Sequence, residues 1–534
     1  MQKRLGAECE PERKQMDRKL YDKVSEWFEA HKEAMAEDIM RLVGIESISN
    51  PGSDDTPFGE GCLRALNEML AIGREHGFET ENYDNIVGSI GSREKNWENL
   101  IGFWNHMDVV PVGNGWEYAP FEPVIKEHFL IGRGSQDNKG PAIGILYMMQ
   151  CLRELNIPLK HELCLFVGTD EERGMEDLAH YTAHYPTPKL SMIADSGFPV
   201  CYGEKGIIEG RMVSKSVVSD CILEVKGGSA SNMIPDRAEV LLAESEELKA
   251  ELAGFFCENI GENAGENAGK TAENNLGDDR KGNCAERVSD EKRESTLRNI
   301  TWETEADGIR IVAKGTSKHS AFPQGSVNAI HELGSFMMEL TSLSENDREL
   351  FAHLEELSQE YYGENPGIAY EDEVSGKTTC AATVLSMEEG HLCVTLNIRY
   401  AITADDEENL RTLEAYAEKK GMQWQLERNS KPSYFPKEHP AMDLLTDLFN
   451  EITGRETKSF VMGGGTYARM LPNAFAYGVG GMQESDEDKE IKKRLFKPGH
   501  GGAHEPDEAL NLRLLLEAMK IYTMAIVELS EIEL

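Results

Sequence analysis

HELCLFVGTDEERG, residues 161–174, decides the architecture. Its first half is mostly apolar with little alternation, and so reads as a buried strand. Its second half leaves that strand and sets Glu171 directly beside Glu172. Adjacent carboxylates repel, so the pair is tolerable where the two side chains do different jobs and a cation lies close to them. A buried strand that delivers acidic residues at its C-terminal end fits an open α/β sheet carrying its site along one edge.

The same pattern recurs on either side. NLIGFW (99–104) is a short apolar strand running to His106, and LSMIADSG (190–197) is another that ends at Asp195. GPAIGILYMMQCLRELNI (140–157) predicts a strong helix, and CLRALNEMLAIGREHGF (62–78) one that stops near Gly77. Leu20, Val24, Trp27, Phe28, Met35, Ile39 and Leu42 fall at helical spacing, which predicts an amphipathic helix, or two, over 17–45. Strands thus alternate with helices in an α/β fold. After GEKG (203–206) the character changes. CILEVKGG, GIRIVAKG and CVTLNIRY read as antiparallel strands, with helices such as NAIHELGSFMMEL between them.

These shifts divide the chain into a first catalytic segment, 1–206, an inserted α+β domain, 207–425, and a segment 426–534 that completes the first domain. Within the insertion, 258–295 repeats ENxGENAG and has few large apolar residues. Such a stretch cannot bury enough surface to offset its ordering entropy and is expected to be a mobile loop.

The 534 residues are enough for two domains and a large core. A net charge of −40 argues against nucleic-acid and anionic-membrane partners. No apolar run approaches the ~20 residues of a membrane helix, and the charged N-terminus lacks the apolar region of a signal peptide. The ten cysteines contain no CxxC pair. Scattered thiols and no export signal predict a cytoplasmic protein.

The ionisable residues at predicted strand ends are each ordinary alone. His106 and Asp108 in NHMDVVPVGNGW point to the same side of an extended chain, and a carboxylate behind an imidazole orients it for zinc. Asp137 in GRGSQDNKG reads as a turn or N-cap residue. Asp195 could be a plain strand-end residue, and GHGGAHEPDE supplies both His500 and His504. Together, one His, three carboxylates and a late His suit two divalent ions that share a bridging carboxylate. GGGTYAR (463–469) is a Gly-rich turn, but it continues into neither a GKS/T nor a GxGxxG pattern, as a phosphate cradle would.

The order of these motifs resembles one family. HMDVVPVG with a following Trp and PF, GRGSQDNKG, DEERG, a strand-end Asp, GEKG, His319 in KGTSKHSAFPQG and the terminal HEPDE are similar to the co-catalytic metallopeptidases. These include acetylornithine deacetylase, aminoacylase, carnosinase and, nearest in pattern, the PepV-type (Sapep) bacterial dipeptidases. The resemblance runs from about residue 40 to the C-terminus, leaving out 258–295. It implies a zinc-peptidase-like α/β catalytic domain with a central mixed sheet and an inserted, extended ferredoxin-like α+β lid.

It also implies roles. His106, Asp137 and Asp195 would hold one metal, and Asp137, Glu172 and His504 the other, with Asp137 bridging. His504 is preferred to His500 because the family's ligand precedes a Pro-Asp-Glu-like triplet. Asp108 would fix His106, and Glu171 would act as general base on the water between the ions. His319 would stabilise the carbonyl oxygen, beside Asn232 of SNMIPD. Arg399 of TLNIRY would grip the substrate carboxylate, and Thr466 would touch the substrate backbone. The implied activity is hydrolysis of dipeptides with free termini by a monomer holding two divalent ions, zinc before manganese or cobalt. N-acyl-amino-acid deacylation at the same centre is the alternative.

Overall fold

A computed structural model of the chain describes residues 16–257 and 298–534. The biased stretch 258–295 lies outside the described residues. The chain forms two compact units, one from Met1–Glu204 with Ser433–Leu534 and one from Lys205–Pro432. The strand Met422–Ser430 pairs with Gly206–Ser214 and so belongs to the sheet of the second unit.

The first unit is built on a mixed sheet. Its centre is parallel: Glu162–Gly168, Leu100–His106, Leu190–Ile193 and Ala474–Ala476 lie side by side in that order. Every residue of Leu100–His106 is buried, as are the last five of Glu162–Gly168. Burial on both faces explains why these strands are continuous apolar runs. Antiparallel strands flank this centre, Val87–Gly91 with Glu79–Tyr83 on one side and Cys201–Glu204 with Ser433–Tyr434 on the other.

Helices cover the sheet. Arg18–Val43 opens on Asp17, whose carboxylate accepts the N–H groups of Lys19 and Leu20 at 3.0 and 3.1 Å. It buries Val24, Trp27, Phe28, Met35, Ile39 and Leu42, the stripe its periodicity predicts. Gly140–Glu154 is almost wholly buried and approaches Leu512–Leu529 closely. A Cβ on Gly144 would come within 2.8 Å of the Met519 sulfur.

Register positions the candidate site. His106 lies opposite Gly168, and Trp104 opposite Ile193. Three parallel strands therefore end at nearly the same level, and the residues just beyond them, Asp108, Glu171, Glu172 and Asp195, emerge along one sheet edge.

The second unit has an eight-stranded antiparallel sheet, from Ile300–Glu305 at one edge to Met422–Ser430 at the other. Ala329–Met337 and Glu345–Ser358 bury Leu333, Phe336, Phe351 and Leu354 in a core shared with Ile311, Leu396 and Ile398 of the sheet. The fold is thus the mixed α/β architecture expected, with an α+β insertion. Among the described residues, no helix is long and apolar enough to cross a membrane.

Gly168 marks where strand gives way to site. A Cβ there would collide with the Tyr467 hydroxyl and the Asp177 carboxylate, both buried. Gly168→Ala is expected to cost about 1–3 kcal/mol by overpacking, read as a lowered denaturation midpoint with an unchanged slope.

Candidate metal centre

Asp108 organises the sheet edge. Its carboxylate is fully buried and accepts the backbone N–H groups of Glu171 (3.1 Å) and Glu172 (3.0 Å). It also stands 3.4 Å from His106 Nδ1, which donates to the Asp108 carbonyl at 3.0 Å. The imidazole is thereby turned so that Nε2 faces outward from the strand. Nε2 lies 3.0 Å from Asp137 Oδ1 and 3.6 Å from Asp195 Oδ2.

Asp137 sits in the turn before the helix Gly140–Glu154, with the extended backbone angles φ −133° and ψ 95°. Gly134, at φ +83°, makes the tight approach to this turn possible. Asp137 uses both oxygens. Oδ1 faces His106, and Oδ2 lies 3.1 Å from His504 Nε2. The same His504 nitrogen is 3.0 Å from Glu172 Oε1. Asn138 fixes the fourth carboxylate, donating to Asp195 Oδ1 at 2.9 Å and to the Ala194 carbonyl at 3.0 Å.

Ligand atoms of His106, Asp137 and Glu172 lie within 4.8 Å of one another, and so do those of His106, Glu171 and Asp195. These triads cut across the two sets that the sequence implies, because His106 stands centrally and Glu171 enters one of them. Of the implied sets, His106 meets both Asp137 and Asp195, and His504 meets both Asp137 and Glu172. His500 is elsewhere in its loop. Its Nδ1 donates to Asp507 at 2.6 Å, and Asp507 in turn accepts the N–H groups of Glu117 and Tyr118.

The electrostatics favour cations. Two carboxylates ~4 Å apart repel by about 4 kcal/mol at an effective dielectric constant of ~20. A few such pairs would rival a domain's whole stability of roughly 5–15 kcal/mol. Burial raises Glu171 well above the usual carboxylate range, with Glu172, Asp195 and Asp108 adding to it against His106. Burial and Asp137 push Glu172 up to about 7. Burial and Asp137 also raise Asp195. Hydrogen bonds to Asp137 and Glu172 carry His504 up to about 11. His106 is raised too, its carboxylate partners outweighing burial, while the two imidazoles hold Asp137 low despite its burial. Glu171 Oε1 is buried with no hydrogen-bond partner. Four carboxylates, two imidazoles and an orphaned oxygen fit a pair of divalent ions, whose binding would displace the imidazole protons.

The remaining candidates are placed as follows. Thr466 is buried at the start of the short helix Tyr467–Met470. Its hydroxyl donates to Glu204 Oε1 at 2.6 Å and accepts the Ala468 N–H at 3.2 Å, so it fixes the Gly-rich turn. In the second unit, Asn232 and His319 are neighbours: Ser320 N–H donates to the Asn232 carbonyl at 2.8 Å. Asn397, which sequence reading passed over, joins this segment to Arg399. Its Oδ1 accepts from Ser320 Oγ and from Arg399 Nε, both at 2.9 Å. Tyr467 and Asp177 were also passed over. The tyrosine hydroxyl donates to Asp177, which accepts the Thr169 and Asp170 N–H groups and so braces the DEERG turn from below. Nothing in the local sequence around Asp177 signals this, because its partner lies 290 residues away.

Imidazoles and carboxylates gathered at the C-terminal edge of a mixed α/β sheet define a metal-dependent hydrolase of the α/β type. The chain belongs to the peptidase family M20/M25/M40, whose model matches residues 102–528. It is therefore a metallopeptidase, a hydrolase that acts on peptide bonds. It is 27% identical over 513 residues to "Putative dipeptidase YtjP" of Bacillus subtilis strain 168, covering 94% of this chain and 98% of that protein. It is 28% identical over 505 residues to a protein of Staphylococcus epidermidis that is also named as a dipeptidase, covering 92% and 96%. Human carnosine dipeptidase 1 shares the fold at a TM-score of 0.53 and 14% identity, with 96% of this chain and 99% of that one covered. Dug1p of Saccharomyces cerevisiae does so at 0.53 and 12%, with the same coverage.

Asp108→Asn keeps the shape of the side chain but turns an amide NH2 toward one of the two N–H groups it now accepts. In metal-free protein this is expected to cost about 1–3 kcal/mol, the penalty of one buried donor left unpaired, measured by urea denaturation.

Proposed function

We propose that the protein is a dipeptidase with a dinuclear metal centre, zinc being the first candidate, held by His106, Asp137, Glu172, Asp195 and His504. The observation that carries this reading is Asp137, which presents one oxygen to His106 and the other to His504. A carboxylate so disposed suits a bridge between two ions. When bound, the ions would polarise the scissile carbonyl and acidify the attacking water.

The chain's own groups would do the rest. Glu171 is half-buried, and its Oε1 is buried and unpaired. It would accept a proton from the attacking water at that oxygen and pass it to the leaving nitrogen as the C–N bond breaks. The water oxygen stays in the new carboxyl group, and the water's second proton follows the first to the released nitrogen, so the products are a carboxylate and an ammonium. Asp108 would act by orientation alone, through His106 and the Glu171–Glu172 backbone. A cavity of about 470 Å³ borders Asp137 and Asp195, with room for a small substrate.

In the second unit, the same reading gives His319 the carbonyl oxygen, Arg399 the substrate carboxylate and Asn232 a neighbouring contact. His319 Nδ1 accepts the Ala321 N–H at 3.1 Å, which places the proton of the neutral ring on Nε2. Thr466 would serve substrate through the Gly-rich turn that it holds. Dipeptides are favoured over N-acyl amino acids by the names of the two bacterial relatives, which match nearly end to end.

Glu171→Gln is expected to retain metal and lose at least about 10²-fold in kcat, the scale of general-base catalysis. His504→Ala should lose metal by elemental analysis, whereas His500→Ala should retain it. With metal restored, dipeptides bearing free termini should be cleaved faster than their N-acetyl forms and than N-acyl amino acids. Preference for N-acyl amino acids would replace the dipeptidase reading by a deacylase.

A further inference from the structure

The loop that carries His504 ends in Glu508, and this residue is fully buried. Its carboxylate accepts four donors from the segment 133–137. Arg133 Nη1 donates at 2.7 Å and the Gly134 N–H at 3.1 Å, both to Oε2. The N–H groups of Gln136 (2.9 Å) and Asp137 (3.0 Å) donate to Oε1. The turn before the helix is thus an anion-binding nest filled by a carboxylate of the same chain. The Arg133 guanidinium also lies 3.4 Å from the His504 carbonyl through Nη2. Both oxygens of Glu508 are fully engaged by these donors.

We propose that Glu508 is the positioning residue of the metal centre: with Arg133 it sets the backbone of Asp137 and the His504 loop together. The inference rests on the two-metal reading of the site. Asp137 can divide its oxygens between His106 and His504 only if its backbone is held, and the nest holds it through its own N–H. His504 reaches the same carboxylate only if its loop is tied to that turn. One buried carboxylate does both, so a change there should be felt as altered metal binding rather than as lost substrate contact. Loss of an outer-shell partner of this kind typically weakens metal affinity by about 10–100-fold.

The test is cobalt titration of the metal-depleted full chain, read by visible absorption, with folding checked by circular dichroism. The parent is expected to take up two Co²⁺. Glu508→Gln, whose amide cannot accept at both ends, is expected to bind them about 10–100-fold more weakly and with shifted d–d bands. Arg133→Lys keeps the charge but cannot span Glu508 and the His504 carbonyl together, so a smaller loss is expected. It carries the test alone should Glu508→Gln fail to fold. Folded variants with the parent's affinity and spectrum would overturn the proposal. A parent that binds fewer than two ions would overturn the two-metal reading instead.

Discussion

One carboxylate connects the sheet to its chemistry. Asp108 lies just past the strand Leu100–His106, yet it accepts the Glu171 and Glu172 N–H groups of the DEERG turn that follows the neighbouring strand. These half-buried backbone donors lie in the turn beyond the strand and have no ladder partner there, so they need an acceptor. Because Asp108 supplies it, Glu171 and Glu172 are fixed relative to His106. The two glutamates then diverge, Glu172 toward His504 and Glu171 away from it, with one buried oxygen unpaired. The repulsion between neighbouring acids becomes a division of roles.

The same device recurs around the centre. Asp177 braces the DEERG turn from below, Asn138 holds Asp195, and Asp507 ties His500 to the backbone at Glu117 and Tyr118. Asp137, Glu172 and Asp195 are set by polar groups from distant parts of the chain, while His106 is held by Asp108 two residues on. Catalytic geometry needs such support, since small misplacements of reacting groups cost large factors in rate. Much of the acidity near this edge is thus spoken for by backbone N–H groups, leaving a smaller set of carboxylates to face cations.

Much of the fold was legible because burial leaves a signature. HELCLFVG and NLIGFW are continuous apolar runs, and they form parallel strands buried on both faces. The stripe from Val24 to Leu42 forms the helix Arg18–Val43. Strand boundaries were less legible: Leu190–Ile193 stops two residues before Asp195, where the chain turns so that Asn138 can reach it. The support residues were least legible. Asp177 sits in unremarkable local sequence, Tyr467 follows a Gly-rich turn that says nothing of its partner, and Asn397 reads as one more strand residue in TLNIRY.

The sequence by itself determined the residue types and their order. Apolar strands ending in His or acidic residues, a Gly-framed Asp137 and a late His504 are local patterns, set by periodicity and turn chemistry. Tertiary structure alone decided which imidazole meets which carboxylate. His500 and His504 lie in the same Gly-rich loop and differ little in local context, but one meets Asp507 and the other Asp137 and Glu172. That choice depends on where the loop is anchored against a turn more than 350 residues earlier, and pairings across such distances leave no periodicity in the chain.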